Sequence, residues 1–170
     1  MFYHSFEIAL ACLSLTDDLN FSNPTLDVNF SISPDVSPFT DCWNGAFRIR
    51  SDKNNWRLVA SRIGPDPLGV SGEVSDNIMA GDIDLDYSVK SFGMADPHGA
   101  ILVSPFSSKT HLSSIEDGTL ILSGIKKSGN SCSPSNPNFY KLTKDLCLFR
   151  DFVFNVGTYS GQVSYLLIAP

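Results

Sequence analysis

The sequence predicts an all-β fold, an antiparallel sandwich of about nine or ten strands, from three observations. Apolar and polar residues alternate with a period of two in run after run, the spacing that sets one strand face on a core and the other in water. Turn-forming Gly, Pro, Asn, Asp and Ser separate those runs at short intervals. No stretch of a dozen or more residues carries the 3.6-residue period of an amphipathic helix. With 170 residues, 42% of them hydrophobic, the chain has the size of one domain, 1–170, around one core.

In chain order, Phe6, Ile8, Leu10 and Cys12 alternate with Glu7, Ala9 and Ala11, which predicts a first strand. The apolar run has no Lys or Arg before it and Glu7 at its start, against a secretory leader, while Ala9-Leu10-Ala11-Cys12 has a likeness to a lipobox. Residues 1–15 therefore read as an ordinary strand, a donor strand for a neighbouring copy, or an anchor. Residues 26–33 are the cleanest strand, with Leu26, Val28, Phe30 and Ile32 on one face between Pro24 and Pro34. Residues 34–45 read as a loop, 46–50 and 56–63 as a hairpin around the 51–55 turn, and 64–81 as a loop rich in Pro and Gly. The alternation then resumes in 82–89, with Ile83, Leu85, Tyr87 and Val89 inward, and in strands within 99–106 and 118–126. Residues 146–170 read as a closing hairpin turning at 155–158, with Tyr159, Val163, Tyr165 and Leu167 on one face. Such short antiparallel strands point to an immunoglobulin-like arrangement.

Charge and cysteines narrow the function classes. A net charge of −6 opposes phosphate-backbone binding, so nucleic acid is not an expected partner, and no apolar run is long enough for a transmembrane segment. Charged residues are 18% of the chain, a neutral polar composition common in extracellular β proteins, which predicts a secreted or cell-surface location. Cys12, Cys42, Cys132 and Cys147 lack C-x-x-C spacing and read as disulfide partners or buried thiols. Of the three pairings, Cys132 with Cys147 and Cys12 with Cys42 is favoured; the first would tie the loop at 133–144 to the penultimate strand for about 3 kcal/mol.

Catalytic and binding groups are sparse. His4, His98 and His111 fall in no catalytic motif, and Ser160 lies one position too late for the G-x-S-x-G elbow, so no enzyme is predicted. Asp96-Pro97-His98-Gly99 has turn chemistry. Asp82, Asp84 and Asp86 project from one strand face about 7 Å apart, too widely to chelate calcium without loop carbonyls. They read as a calcium site completed by the loop or as a charged, wetted face. Trp56 lies on a periodic strand and is predicted to be core, which leaves Trp43, with Tyr87 and Asp82 to Asp86, as the surface on which a polysaccharide could bind.

Two segments carry a family resemblance. Asn55-Trp56-Arg57-Leu58 resembles the first Trp-x-Leu of the WxL surface domains of Gram-positive bacteria, and residues 157–170 resemble their closing strand, with Tyr165 where the second Trp stands. The end pattern is also similar to bacterial pilin-like and fimbrial sandwiches. The resemblance implies a non-enzymatic surface or secreted protein of structural or adhesion type, which attaches to the bacterial envelope or assembles with identical subunits as in a pilus or fimbria. Phe6, Ile8 and Leu10 are then the expected assembly strand. A carbohydrate-binding module is the rival reading.

Overall fold

A computed structural model describes residues 13–17, 25–32, 40–63, 69–71, 78–149 and 157–168. They form eleven strands: β1 Leu13–Asp17, β2 Thr25–Ile32, β3 Thr40–Ser51, β4 Trp56–Ile63, β5 Gly69–Ser71, β6 Ile83–Phe92, β7 Ala100–Leu102, β8 Thr110–His111, β9 Thr119–Gly124, β10 Phe139–Phe149 and β11 Gly157–Ile168. Two single 3-10 turns, Ala80–Asp82 and Leu112–Ser114, are the helical segments among the described residues. The expected strands at 26–33, 56–63, 82–89 and 118–126 are present within a few residues of their predicted ends. Within 99–106, only 100–102 is strand, followed by turns around the cis Ser104-Pro105 peptide.

All pairings are antiparallel and build two sheets. One has the order β1-β3-β10-β6-β8, the other β2-β11-β4-β9-β7 with β5 also on β11. The sheets share one core. Phe47 of β3 meets Tyr165 of β11 edge-on with ring centroids 4.7 Å apart, and Trp56 of β4 meets Tyr140 of β10 at 5.6 Å. Ile49, Leu58, Leu85, Leu122, Leu142 and Leu146 fill the layer between them. Trp56 is fully buried as expected, and its Nε1 donates to the Lys126 carbonyl at 2.9 Å. Its register partner is Gly124, where an added Cβ would sit inside the indole, so the ring can lie flat across β9 only over glycine.

Four expectations are corrected. Residues 146–170 do not form a hairpin, because β10 is central in one sheet and β11 lies in the other. Residues 46–63 do not form one either: β3 pairs with β1 and β10, and β4 with β11 and β9. The 51–55 turn is a corner that carries the chain between sheets. At this corner the Ser51 hydroxyl accepts from the Lys53 N–H, the Ser51 N–H donates to Ser128 Oγ at 2.9 Å, and Asn55 adopts φ +60°, which Asn tolerates better than most residues. Residues 40–45 are strand rather than loop, since β10 offers Thr40 to Gly45 a complete row of partners. Finally, the loop expected over 133–144 ends at 138, because β3 and β6 offer backbone partners on both sides from Phe139 and Tyr140 onward; the buried Lys144 breaks the apolar alternation that would have marked this strand.

Candidate functional site

The outer face of the sheet β1-β3-β10-β6-β8 brings together Cys42, Cys147, Asp84, Asp86 and His111 in cross-strand rows two residues apart. One row runs Cys42, Cys147, Asp84, His111 across β3, β10, β6 and β8. The next is Asn44, Asp145, Asp86; then Ala46, Thr143, Ser88; then Arg48, Lys141, Lys90; and last Phe139 with Phe92. Directly opposed residues in such rows stand about 5 Å apart, so Asp145 lies beside Asp86, and Lys141 lies between Arg48 and Lys90. Charge on this face is sorted by row.

The disulfide joins Cys42 to Cys147, which are register partners with Cα atoms 4.1 Å apart. The expected Cys132–Cys147 and Cys12–Cys42 pairings are therefore corrected. Proximity along the chain favoured Cys132, but the cross-strand register sets Cys147 against a residue 105 positions away. Cys132 is also disulfide-bonded, and no described cysteine is free. The Asp84 carboxylate beside this bond would oppose formation of a thiolate, the reverse of the electropositive setting of redox-active cysteines. The bond reads as a staple.

The three aspartates do not form one row. Asp82 lies in the 3-10 turn, where its carboxylate accepts from the Met79 N–H at 2.8 Å. Asp84 is ion-paired with Lys109, and its other oxygen lies 3.4 Å from His111 Nδ1. Asp86 is exposed opposite Asp145. Among the described residues no group of three His, Cys, Asp or Glu could hold a metal ion. Trp43 lies on β3 opposite Leu146 rather than in a loop, and Tyr87 is buried, which removes it from any ligand surface. Phe6, Ile8, Leu10 and Cys12 lie outside the described residues. Asp96 and His98 form the expected turn, with the His98 N–H donating to Asp96 Oδ1 at 2.8 Å.

Sequence reasoning missed the aromatic end of this face. Phe92 stacks on Phe139 with centroids 4.8 Å apart and is 41% exposed. The guanidinium carbons of Arg48 and Arg50 lie 5.2 and 5.0 Å from the Phe139 centroid. Arg50 is buried beneath the 131–138 loop: its Nε donates to the Asn136 carbonyl at 3.1 Å and its Nη2 to the Pro134 carbonyl at 3.0 Å. Each Phe, taken alone, is one more apolar residue at the end of a strand, and only the register of β6 on β10 brings Phe92 beside Phe139.

Inside the core, Lys144 Nζ sits 3.8 Å from the Phe47 ring centroid and 4.6 Å from that of Tyr165. Tyr165 and Tyr87, from opposite sheets, share a buried 2.8 Å hydrogen bond. Burial pushes both phenols well above the ordinary tyrosine range, so they stay protonated and cannot serve as bases near neutral pH. This cluster joins the two layers. Comparison with protein-family models, curated proteins and solved structures returns no match.

Proposed function

We propose that this chain is a non-enzymatic, secreted or cell-surface immunoglobulin-like domain of bacterial pilin-like or WxL-like type, acting by envelope attachment or assembly with identical subunits. The observation that carries this reading is the outer face of the β1-β3-β10-β6-β8 sheet, stapled by Cys42–Cys147 and sorted by charge into rows, a pattern suited to meeting another charged surface. Disulfides persist in oxidising compartments, which agrees with an extracellular location. The two segments that resemble WxL domains lie on adjacent strands, with Leu58 of β4 opposite Leu167 of β11. Native mass spectrometry of the oxidised full chain, with pull-down on isolated cell-wall fractions, tests the proposal. Oligomers or wall retention support it; a monomer that binds no wall fraction overturns it.

A second reading, binding of an acidic polysaccharide, is favoured by one observation: the exposed Phe92–Phe139 stack beside Arg48, Lys141 and Lys90. It moves the ligand surface from Trp43 and the aspartates to the end of the outer face where Phe92 stacks on Phe139. Retention on an acidic-glycan resin that is lost on Lys90→Glu supports this reading, and retention that the substitution leaves unchanged removes it.

A further inference from the structure

We propose that one end of the sandwich, where the 51–55 corner meets the 93–99 and 125–138 loops, docks on the surface of a lipid bilayer containing anionic phospholipid. The proposal goes beyond the assembly and polysaccharide readings and rests on neither.

Hydrogen bonds tie these three segments into one platform. The Lys126 N–H donates to the Gly99 carbonyl at 3.0 Å, the Lys127 N–H to Asn54 Oδ1 at 2.8 Å, and the Met94 N–H to Asn138 Oδ1 at 2.8 Å. Exposed apolar side chains scattered singly over a surface are ordinary, whereas their concentration in one place marks an interaction site. Among the described residues eight large hydrophobics are exposed, and six of them lie at this end: Phe92, Met94, Ile101, Ile125, Leu166 and Ile168. The other two, Ile63 and Met79, lie at the opposite end, past the far end of β4 and before the start of β6. Met94 is 90% exposed and Leu166 60%. Ile168 and Ile101 share one cross-strand row with Arg57 and Ser123, and Leu166 lies in the next row with Val59 and Leu120. In β11 the outer positions at 160, 162 and 164 are Ser, Gln and Ser, so the face turns apolar only as it reaches this end.

Charge follows the same division. Arg57, Lys90, Lys126 and Lys127 are exposed here and Lys53 is half-buried, against the carboxylates of Asp52 and Asp96 among the described residues. Asp82, Asp84, Glu116 and Asp117 lie toward the opposite end, before β6 and β9 begin. In a chain of net charge −6, one end is therefore both cationic and apolar. That combination fits an interface with anionic headgroups outside and hydrocarbon beneath.

The placement of the apolar groups selects lipid over other acidic partners. Phe92 belongs to the outer face of the β1-β3-β10-β6-β8 sheet and Ile101, Leu166 and Ile168 to that of the other sheet. Packed sheets are separated by about 10 Å, so a rigid partner lying against one outer face leaves the other bare. A fluid interface admits side chains around the whole tip, with lysine stems extending so that their ammonium groups stay among the phosphates. Met94 and Ile125 offer a sugar neither a flat ring for stacking nor a hydrogen bond, yet both gain from burial in hydrocarbon.

Co-sedimentation of the oxidised full chain with vesicles of phosphatidylcholine, with and without phosphatidylglycerol, tests the docking. Binding is expected to the vesicles containing phosphatidylglycerol and to weaken as salt is raised. Lys126→Gln and Lys127→Gln should each lower the partition constant about fivefold. Met94→Ser should lower it about tenfold, while Met79→Ser, a comparable exposed methionine at the opposite end, should leave it unchanged. All four side chains are exposed, so the variants are expected to keep the parent's melting temperature. Absence of binding to either vesicle overturns the proposal. So does binding that Met94→Ser and Lys126→Gln leave unchanged, or that Met79→Ser weakens equally. Retention on an acidic-glycan resin without vesicle binding overturns it in favour of the polysaccharide reading, and none of these outcomes bears on assembly with identical subunits.

Discussion

Removing the Tyr87–Tyr165 hydrogen bond should reveal how much the two sheets depend on one polar contact between them. The hydroxyls lie 2.8 Å apart, the two residues are only 4% and 3% exposed, and Tyr165 also packs edge-on against Phe47. Tyr165→Phe keeps the ring and its aromatic neighbours but leaves the Tyr87 hydroxyl buried without this partner. That loss should cost about 1–3 kcal/mol, and Tyr87→Phe should cost a similar amount for the reciprocal reason. The double variant removes both hydroxyls, so nothing is stranded and its cost should be far less than the sum. Denaturant midpoints for the four proteins, converted with the measured m-values, give the coupling energy. Additive single and double effects, to within about 0.5 kcal/mol, would refute the argument that the phenols satisfy one another. The same pair predicts an alkaline limit. Both phenols have folded pKa values raised by burial, and Tyr140 is pushed up to about 12 by burial and by the Asp96 carboxylate. Because the folded state favours the protonated forms, this stabilisation is complete below about pH 10 and is lost as pH rises through the folded values. Phenolate absorbance should therefore appear together with unfolding; titration of these tyrosines in a fully folded protein would contradict the burial argument.

Three further outcomes follow from the packing. Cys42→Ser with Cys147→Ser should lower stability by up to about 4.7 kcal/mol on chain-entropy grounds, since the bond closes a 105-residue separation; an unchanged melting temperature under oxidising conditions would show that the pairing does not form. Gly124→Ala should cost about 1–3 kcal/mol by driving a methyl into the Trp56 indole, read by denaturant midpoint and by altered tryptophan fluorescence, and a neutral effect would mean that β9 and Trp56 do not oppose each other as described. Arg50→Met should leave the sheet pairing intact while accelerating amide exchange in residues 131–138, whose carbonyls lose two charged donors; uniform exchange across the domain would argue against a local clamp.

The alternation of residues such as Ile83, Leu85 and Tyr87, or Val163 and Tyr165, was enough to read strands, their inward faces and a buried Trp56 directly from the sequence. That is a property of each strand alone: a period of two sends one face to a core whatever lies beyond it. Partnership is different. A strand paired in its own sheet and a strand packed from the opposite sheet need the same apolar face, so the period could not tell that β3 and β4, or β10 and β11, lie in different layers. The positions of Cys42 opposite Cys147, of Lys144 among aromatic rings, and of cations stacked in one row depend on registers linking residues far apart in the chain. Those registers come from the closed packing of two sheets around one core, and only the tertiary structure decided them.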